Sequence, residues 1–381
     1  MTNSYFTFDT KAEWIAKSHR RLLDAYNMIE GAEMAVINPS PKPNIMRHEE
    51  RKKLDNLDLM MEDCVFWANA LGEEDCGWPP FINTYCTVAM IPEAFGAKVG
   101  FSEGGAAWAD IIVDDVEKVY DLKPAKVNTS PMLKRQAEWI DLAQRKLGTD
   151  LPMWTADIQS PFSVAAQIVE HEELFVACYT NPKAVHHLCR MITDYTIEVM
   201  EAHFAQMEHA SYPGRNFPSI SENIGICIAD DTPLVMLSPE MYREFALPYN
   251  KELGAHFKGI HFHSCGDYHL NLDNLLATPN CRSIQAHLGV GEFPLPYPDE
   301  DAAFNRAYGN VTCLLDFNDI ARGDEYSGRE RDHFTEYFLP RMEGRGTRGL
   351  ILQVPGIREF AKSADAIDFV RNCEGKLLGK Y

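Results

Sequence analysis

Residues 259–267 read GIHFHSCGD, in which apolar and polar side chains alternate until the run stops at a glycine. This alternation predicts a β-strand, because side chains two residues apart on a strand lie on the same face. His261, His263 and Cys265 would therefore share one face. Imidazole nitrogen and cysteine sulfur are typical zinc ligands, so the end of this strand is a candidate metal site. On spacing alone, a buried cysteine beside a hydrogen-bonded core histidine is the alternative interpretation.

Other short apolar runs occur before and after this strand, and helical patterns follow them. We predict strands over residues 153–159, 223–230, 260–265, 283–287, 311–315 and 350–354. Strands that alternate with helices are typical of α/β proteins with a parallel sheet. Six such units favour a TIM (β/α)8 barrel. An open doubly wound sheet is the alternative, but no glycine-rich dinucleotide-binding motif supports it.

The N-terminal part of the chain, residues 1–80, lacks this regular alternation. Helical patterns occupy residues 11–30 and 47–71, and a proline-rich segment lies between them. We therefore predict that residues 1–80 form an N-terminal helical segment that packs on the barrel, and that residues 81–381 form the catalytic barrel domain. The chain length of 381 residues lies within the range of TIM barrels with insertions.

The charge and hydropathy of the chain argue against several classes of protein. With 36 basic and 56 acidic residues, the formal net charge is −20, which repels nucleic-acid phosphates and anionic lipids. No apolar run is long enough for a membrane helix, and the segment 1–30 is too polar for a secretory signal. None of the 10 cysteines forms a Cys-x-x-Cys pair. We expect a cytoplasmic protein with neither a nucleic-acid nor a membrane partner.

Five short segments carry a resemblance to a known family. They are IPEAFGAKV at residues 91–99, DIQSPF at 157–162, ADD at 229–231, LSPE at 237–240 and HSCG at 263–266. In order and spacing they resemble the uroporphyrinogen decarboxylase superfamily, in the branch of zinc-dependent corrinoid methyltransferases such as methylcobamide:coenzyme M methyltransferase. The resemblance covers most of the chain and implies a TIM barrel. It also implies that His263 and Cys265 correspond to the zinc-binding His-x-Cys pair of that branch.

Two departures from the family pattern affect the expected site. The N-terminus lacks the arginine-rich segment with which true decarboxylases bind substrate carboxylates, so porphyrinogen decarboxylation is not expected. The methyltransferases usually supply another cysteine at the last strand, where this chain reads LQVPG at residues 352–356. The candidates for the third zinc ligand are therefore Glu222, Asp231 and Cys313. We favour Glu222, which lies in a polar turn before an apolar strand.

Polar residues at other strand ends complete the expected site. Barrel enzymes carry their catalytic residues at the carboxyl ends of the strands, so we assign catalytic roles to Asp157 and Asp230. His261 lies deeper than His263, where it would coordinate the metal, orient a metal ligand or make a core hydrogen bond. The residues expected to contact substrate are Gln159, Asp231 and Gln353.

The activity that the resemblance implies is methyl transfer. Zinc would activate a thiol or a methyl ether, and the methyl group would pass between that small O-methyl, S-methyl or thiol compound and a cobalamin. A partner corrinoid protein would carry the cobalamin, because this chain has no Asp-x-His-x-x-Gly motif. Two alternatives stay open. One is a metal-independent decarboxylase or lyase in which Asp157 and Asp230 move protons, and the other is a non-catalytic relative.

Overall fold

The computed structural model describes residues 5–38, 48–102, 107–154, 156–214, 216–266, 268–286, 305–316, 330–354 and 362–377. Its strands are β1 Ala35–Ile37, β2 Val99–Phe101, β3 Ala107–Ala109, β4 Ile158–Gln159, β5 Ile226–Ala229, β6 Ile260–His263, β7 Cys281–Ala286, β8 Thr312–Asp316 and β9 Leu350–Gln353. Seven of them form one sheet in the order β1-β9-β8-β7-β6-β5-β4. Every neighbouring pair in this sheet is parallel, whereas β2 and β3 form a separate antiparallel hairpin.

All six strands predicted from the sequence are confirmed as β4 to β9, with ends that differ by a few residues. The sequence did not predict β1. This strand lies within the N-terminal segment that we expected to be helical, and it pairs with β9. The segment 1–80 therefore contributes a strand to the central sheet, and a boundary at residue 80 separates β1 from its sheet. A strand of three fully buried residues is too short to show a periodic pattern.

Residues 76–82 lie between the two edge strands of the sheet. On one side, the backbone N–H of Asn38, just after β1, donates to the carbonyl of Cys76 at 2.8 Å. On the other side, Ile82 forms a parallel bridge with Met153, which precedes β4. This segment therefore occupies the place of an eighth strand between β1 and β4.

Helices cover the strands. They are α1 Glu13–Tyr26, α2 Glu50–Asp55, α3 Leu57–Gly72, α4 Met90–Ala94, α5 Pro131–Leu147, α6 Pro161–Ile168, α7 His171–Thr180, α8 Pro182–Gln206, α9 Asp231–Met236, α10 Pro239–Phe245, α11 Leu247–His256 and α12 Leu272–Leu276. Further helical segments lie at Val116–Asp121, His269–Asn271, Glu330–His333, Phe334–Phe338, Leu339–Met342, Ser363–Asn372 and Glu374–Leu377. Within the described ranges, no helix has the length and apolar character that a bilayer crossing needs.

Two Ser-Pro pairs show how the sequence starts these helices. The side chains of Ser160 and Ser238 accept hydrogen bonds from the backbone N–H groups three residues later, at 3.2 and 3.3 Å. In each case proline takes the first helical position, where its missing N–H has no intrahelical role. The helix after β4 therefore begins directly at the carboxyl end of that strand.

Side chains that alternate along the strands pack on opposite faces of the sheet. One face carries an inner core and the other an outer core. The inner core includes Ala35, Ile37, Cys227, Leu314 and Ile351. The outer core, which packs against the helices, includes Ile228, Phe262, Ile284, Leu315 and Leu352. Helix α1 contributes Leu22 and Tyr26 to the inner core, and the Tyr26 hydroxyl donates to the carbonyl of Pro218 at 2.6 Å. The inner face thus meets α1 at the amino ends of the strands, and the candidate site lies at their carboxyl ends.

Candidate metal centre

The adjacent strands β5 and β6 end side by side, and the turns that follow them carry the candidate ligands. Ala229 and His263 are partners in the parallel register, and the N–H of Asp230 donates to the carbonyl of His263 at 2.9 Å. Asp231 is the first residue of α9, whereas Cys265 lies in the turn after β6. The strand pairing therefore brings the carboxyl ends of β5 and β6 together.

Asp231, His263 and Cys265 form a compact donor set. One ligand atom from each lies within 4.8 Å of the other two, and the Nε2 of His263 is 3.2 Å from the Sγ of Cys265. The backbone N–H of Cys265 donates to the Oδ1 of Asp231 at 2.6 Å, which fixes the carboxylate against the turn. Cys265 is exposed, and the other two side chains are half-buried. It is the single such group that the described residues contain.

This donor set fits a zinc ion. Tetrahedral zinc with Zn–N and Zn–S bonds of about 2.05 and 2.3 Å separates the two donor atoms by about 3.6 Å. The observed separation of 3.2 Å is therefore close to what coordination requires. One nitrogen, one sulfur and one oxygen donor would leave a fourth coordination position open, as in catalytic zinc sites with three protein ligands.

Three other predicted polar residues lie on the inner face of the sheet. Gln159 pairs with Ala229, which in turn pairs with His263, so the Cα of Gln159 is about 10 Å from that of His263. Asp157 precedes Gln159 by two positions and shares its face, and both side chains are buried. Gln353, at the end of β9, follows the inner-core residue Ile351 by two positions and is half-buried. The structure thus places these three predicted residues on the inner face.

Asp230, which we predicted to be catalytic, lies on the opposite face. It is fully buried, and its Oδ2 accepts hydrogen bonds from the Tyr242 hydroxyl at 2.5 Å and from the Asn250 amide at 3.0 Å. Burial raises the pKa of the Asp230 carboxyl to about 6, although hydrogen bonds from Ser160, Tyr242 and Asn250 oppose the shift. Its contacts with α10 and α11 give Asp230 a structural role between sheet and helices.

The structure does not bring Glu222 or Cys313 to the donor set. Glu222 precedes β5 and therefore lies at the amino end of the sheet, where its Oε2 is 2.8 Å from the Nε2 of His19. Cys313 is fully buried in the outer core. It pairs with the outer-core residue Ile284 on β7, and the next residue on β8, Leu314, belongs to the inner core. Of the three candidates for the third ligand, Asp231 is the residue that meets His263 and Cys265.

His261 lies in the inner core and outside the donor set. Its Nδ1 contacts the Ser283 hydroxyl at 2.6 Å, and its Nε2 contacts the carbonyl of Ile224 at 3.1 Å. Burial lowers the pKa of this imidazole to about 3. The rings of Tyr26 and Phe217 pack edge-on against it. Of the three sequence interpretations of His261, namely metal coordination, orientation of a ligand and a core hydrogen bond, this geometry matches the core hydrogen bond.

One residue beside the centre was missed from the sequence. The Oε1 of Gln285, on β7, accepts a hydrogen bond from the Nδ1 of His263. Position 285 lies in the predicted strand 283–287, and the alternation from Ser283 places it on the inner face. The sequence could have identified Gln285, because it is a polar residue at an inner-face position of the strand that follows the His263 strand.

Comparisons with known proteins give the family context. Residues 81–210 match the family model Uroporphyrinogen decarboxylase (URO-D). The uroporphyrinogen decarboxylases of Xanthomonas campestris pv. campestris (strain B100) and Xanthomonas axonopodis pv. citri (strain 306) are each 25% identical over 171 residues. That alignment spans 43% of this chain and 43% of the length of those curated relatives.

A solved structure extends the likeness along almost the whole chain. A methyltransferase from Methanosarcina mazei superposes with a TM-score of 0.61 at 13% sequence identity, and the match covers 93% of this chain and 98% of that chain. Together with the parallel sheet and its helices, this likeness confirms the predicted α/β TIM-barrel fold. At this identity the likeness concerns the fold alone, and the donors Asp231, His263 and Cys265 lie outside the range 81–210.

Proposed function

We propose, from the confirmed resemblance of this chain to the uroporphyrinogen decarboxylase superfamily, that the protein is a zinc-dependent methyltransferase. It would move a methyl group between a small O-methyl, S-methyl or thiol compound and a corrinoid cofactor. The observation that carries the proposal is the set of Asp231, His263 and Cys265 at the carboxyl ends of β5 and β6. In TIM-barrel enzymes, this end of the strands carries the reactive groups.

The three donors would hold zinc with one position open to substrate. When bound, zinc lowers the pKa of a coordinated thiol or polarises an ether oxygen, which makes the thiol a better nucleophile or the alkoxide a better leaving group. The two anionic donors, Cys265 and Asp231, would offset the charge of the ion. Gln159 and Asp157 line the inner face at or below the level of His263, where they would bind and orient the small substrate.

The corrinoid would come from a partner protein. The sequence has no Asp-x-His-x-x-Gly motif, so the chain itself does not offer the histidine of that motif to a cobalamin. The exposed side of the donor set, where Cys265 lies, is the side from which a second macromolecule would approach. A small-molecule methyl donor or acceptor and a corrinoid protein are therefore the partners that we propose.

A decarboxylase is the second candidate, because the matched family model and the curated relatives carry that name. In this alternative Asp157 would be the acid or base on the inner face, since Asp230 is turned towards α10 and α11. Metal dependence separates the two candidates. A decarboxylase that needs only Asp157 would lose activity with Asp157→Asn and keep it without zinc.

Elemental analysis with matched variants tests the metal centre. We expect about one zinc per chain in the parent and a clearly lower zinc content in Asp231→Asn, His263→Ala and Cys265→Ala, because each variant removes one of the three ligands. Glu222→Gln is the matched control for Asp231→Asn, because it removes the same charge at the other end of the sheet. Zinc content that is unchanged in all three donor variants would refute the proposed centre.

A spectroscopic assay tests the reaction. The zinc-loaded protein is mixed anaerobically with methylcobalamin or cob(I)alamin and with a panel of thiols, thioethers and methoxy compounds. We expect at least one compound to change the cobalt absorption spectrum with the parent and with Glu222→Gln, but not with Cys265→Ala. If no compound produces a change while zinc binds as expected, the methyltransferase proposal fails and the decarboxylase becomes the better candidate.

A further inference from the structure

We propose that Gln285 is a positioning residue that fixes the tautomer of His263, so that the Nε2 of this histidine faces the other two donors. The proposal rests on the metal centre described under the proposed function. The supporting contact is the hydrogen bond between the Nδ1 of His263 and the amide oxygen of Gln285. An amide oxygen only accepts hydrogen bonds, so the Nδ1 must carry the proton.

The fold holds Gln285 in register with His263. Phe262 pairs with Ile284 across β6 and β7, which makes Gln285 the cross-strand neighbour of His263. Gln285 is buried and also pairs with Leu314 on β8. The Tyr268 hydroxyl donates to the backbone carbonyl of Gln285, which ties this position to the segment after β6. The amide therefore reaches His263 from a strand with neighbours on both sides.

The consequence is that the Nε2 of His263 carries a lone pair and no proton. In a neutral imidazole one nitrogen carries the proton and the other is an acceptor, so a protonated Nδ1 leaves Nε2 available. That nitrogen lies 3.2 Å from the Sγ of Cys265, within the donor set. The arrangement is the one that metal-binding histidines use when a neighbouring group accepts their second N–H.

The neighbouring histidine on the same strand has the opposite tautomer. The Nε2 of His261 lies 3.1 Å from the carbonyl oxygen of Ile224, which only accepts, so Nε2 carries the proton there. Its Nδ1 then accepts from the Ser283 hydroxyl at 2.6 Å. Both nitrogens of His261 are therefore engaged in the core. The carbonyl of Ile224 therefore sets the tautomer of His261, whereas the amide oxygen of Gln285 sets the tautomer of His263.

The experiment combines a tautomer measurement with a binding measurement. Nitrogen-15 NMR of the metal-free protein, with His263→Asn to assign the signal, reports which nitrogen of His263 is protonated. Chelator competition gives the zinc dissociation constant of the parent and of Gln285→Met, Gln285→Glu and Gln136→Met. Gln136 is a buried glutamine whose amide donates to the carbonyl of Thr84, so Gln136→Met is the matched control.

We expect a protonated Nδ1 in the parent and a zinc affinity that falls by about 10- to 100-fold in Gln285→Met. Gln285→Glu retains an acceptor at the same place, so it should keep the parent tautomer and stay within about tenfold of the parent affinity. Gln136→Met should bind zinc as the parent does.

Two results would overturn the proposal. One is a protonated Nε2 in the metal-free parent, and the other is an unchanged affinity in Gln285→Met. If Gln285→Met does not fold, the His263 tautomer measured in the parent and in Gln285→Glu still tests the proposal. If the parent binds no zinc at all, the proposed function fails, whereas the tautomer measurement continues to test the role of Gln285.

Discussion

His203 gives a prediction of how the stability of the fold depends on pH. This histidine lies in the last turn of α8 and is buried, and neither ring nitrogen has a hydrogen-bond partner among the described residues. Burial lowers the pKa of the imidazole from 6.5 to about 4. Between these two values the unfolded chain binds a proton that the folded protein excludes, so stability is lost as pH falls from about 6.5 towards 4.

The size of the effect follows from the two pKa values. A difference of about 2.5 pKa units corresponds to roughly 3 kcal/mol once the pH is below both values. About 2 kcal/mol of this loss falls between pH 7.5 and pH 5. His203→Met removes the titrating group and keeps an apolar side chain of similar volume. Urea unfolding at both pH values should therefore show that the parent loses about 2 kcal/mol more than the variant.

The control is His256→Met, which removes a histidine from the exposed end of α11. A surface substitution of this kind should leave the difference between the two pH values within about 0.5 kcal/mol of the parent. If the parent and His203→Met lose the same free energy of unfolding between pH 7.5 and pH 5, the burial argument for His203 is wrong.

Two further predictions concern the packing that supports the barrel. Lys53→Met should cost about 3 to 5 kcal/mol in the free energy of unfolding, because it removes one partner of the buried ion pair between the Nζ of Lys53 and the Oδ2 of Asp63, which are 3.2 Å apart. The exposed pair Lys17–Glu13 is the control, and Lys17→Met should leave the urea midpoint almost unchanged. Gly225→Ala should lower the urea midpoint far more than Gly309→Ala. The backbone φ is positive at both glycines, but a Cβ at Gly225 would clash with the backbone carbonyl of Gly259, whereas a Cβ at Gly309 would have open space. Equal midpoints for the two glycine variants would contradict this explanation.

Much of the fold follows from the sequence because parallel strands leave a strong pattern. Strands that are covered on both faces read as short apolar runs with helices between them, which is why β4 to β9 were predicted. β1 gave no such signal, because three buried residues without alternation resemble any short apolar run. Its place in the sheet depends on pairing with β9, which lies near the other end of the sequence, and local patterns do not encode a contact of that range.

The structure brings only some of the predicted site residues together, for two physical reasons. The choice of Glu222 overlooked the direction of the strand, since a residue that precedes a parallel strand lies at the end opposite to a residue that follows one. The choices of Cys313 and Asp230 overlooked alternation, which turns both side chains towards the helices. Alternation has a period of two residues, so an error of one position moves a side chain to the other face.

The third donor shows how the strand pairing determines the site. Asp230 is fixed from the helix side by Tyr242 and Asn250, while its backbone N–H donates to the carbonyl of His263. This backbone hydrogen bond joins Asp230, the residue before Asp231, to His263. The sheet therefore sets the relative position of Asp231 and His263. Cys265 alone depends on the turn after β6, and its N–H is bonded to the Asp231 carboxylate. Two residues fixed by the sheet and a third bonded to one of them give the preorganisation that the proposed metal site would require.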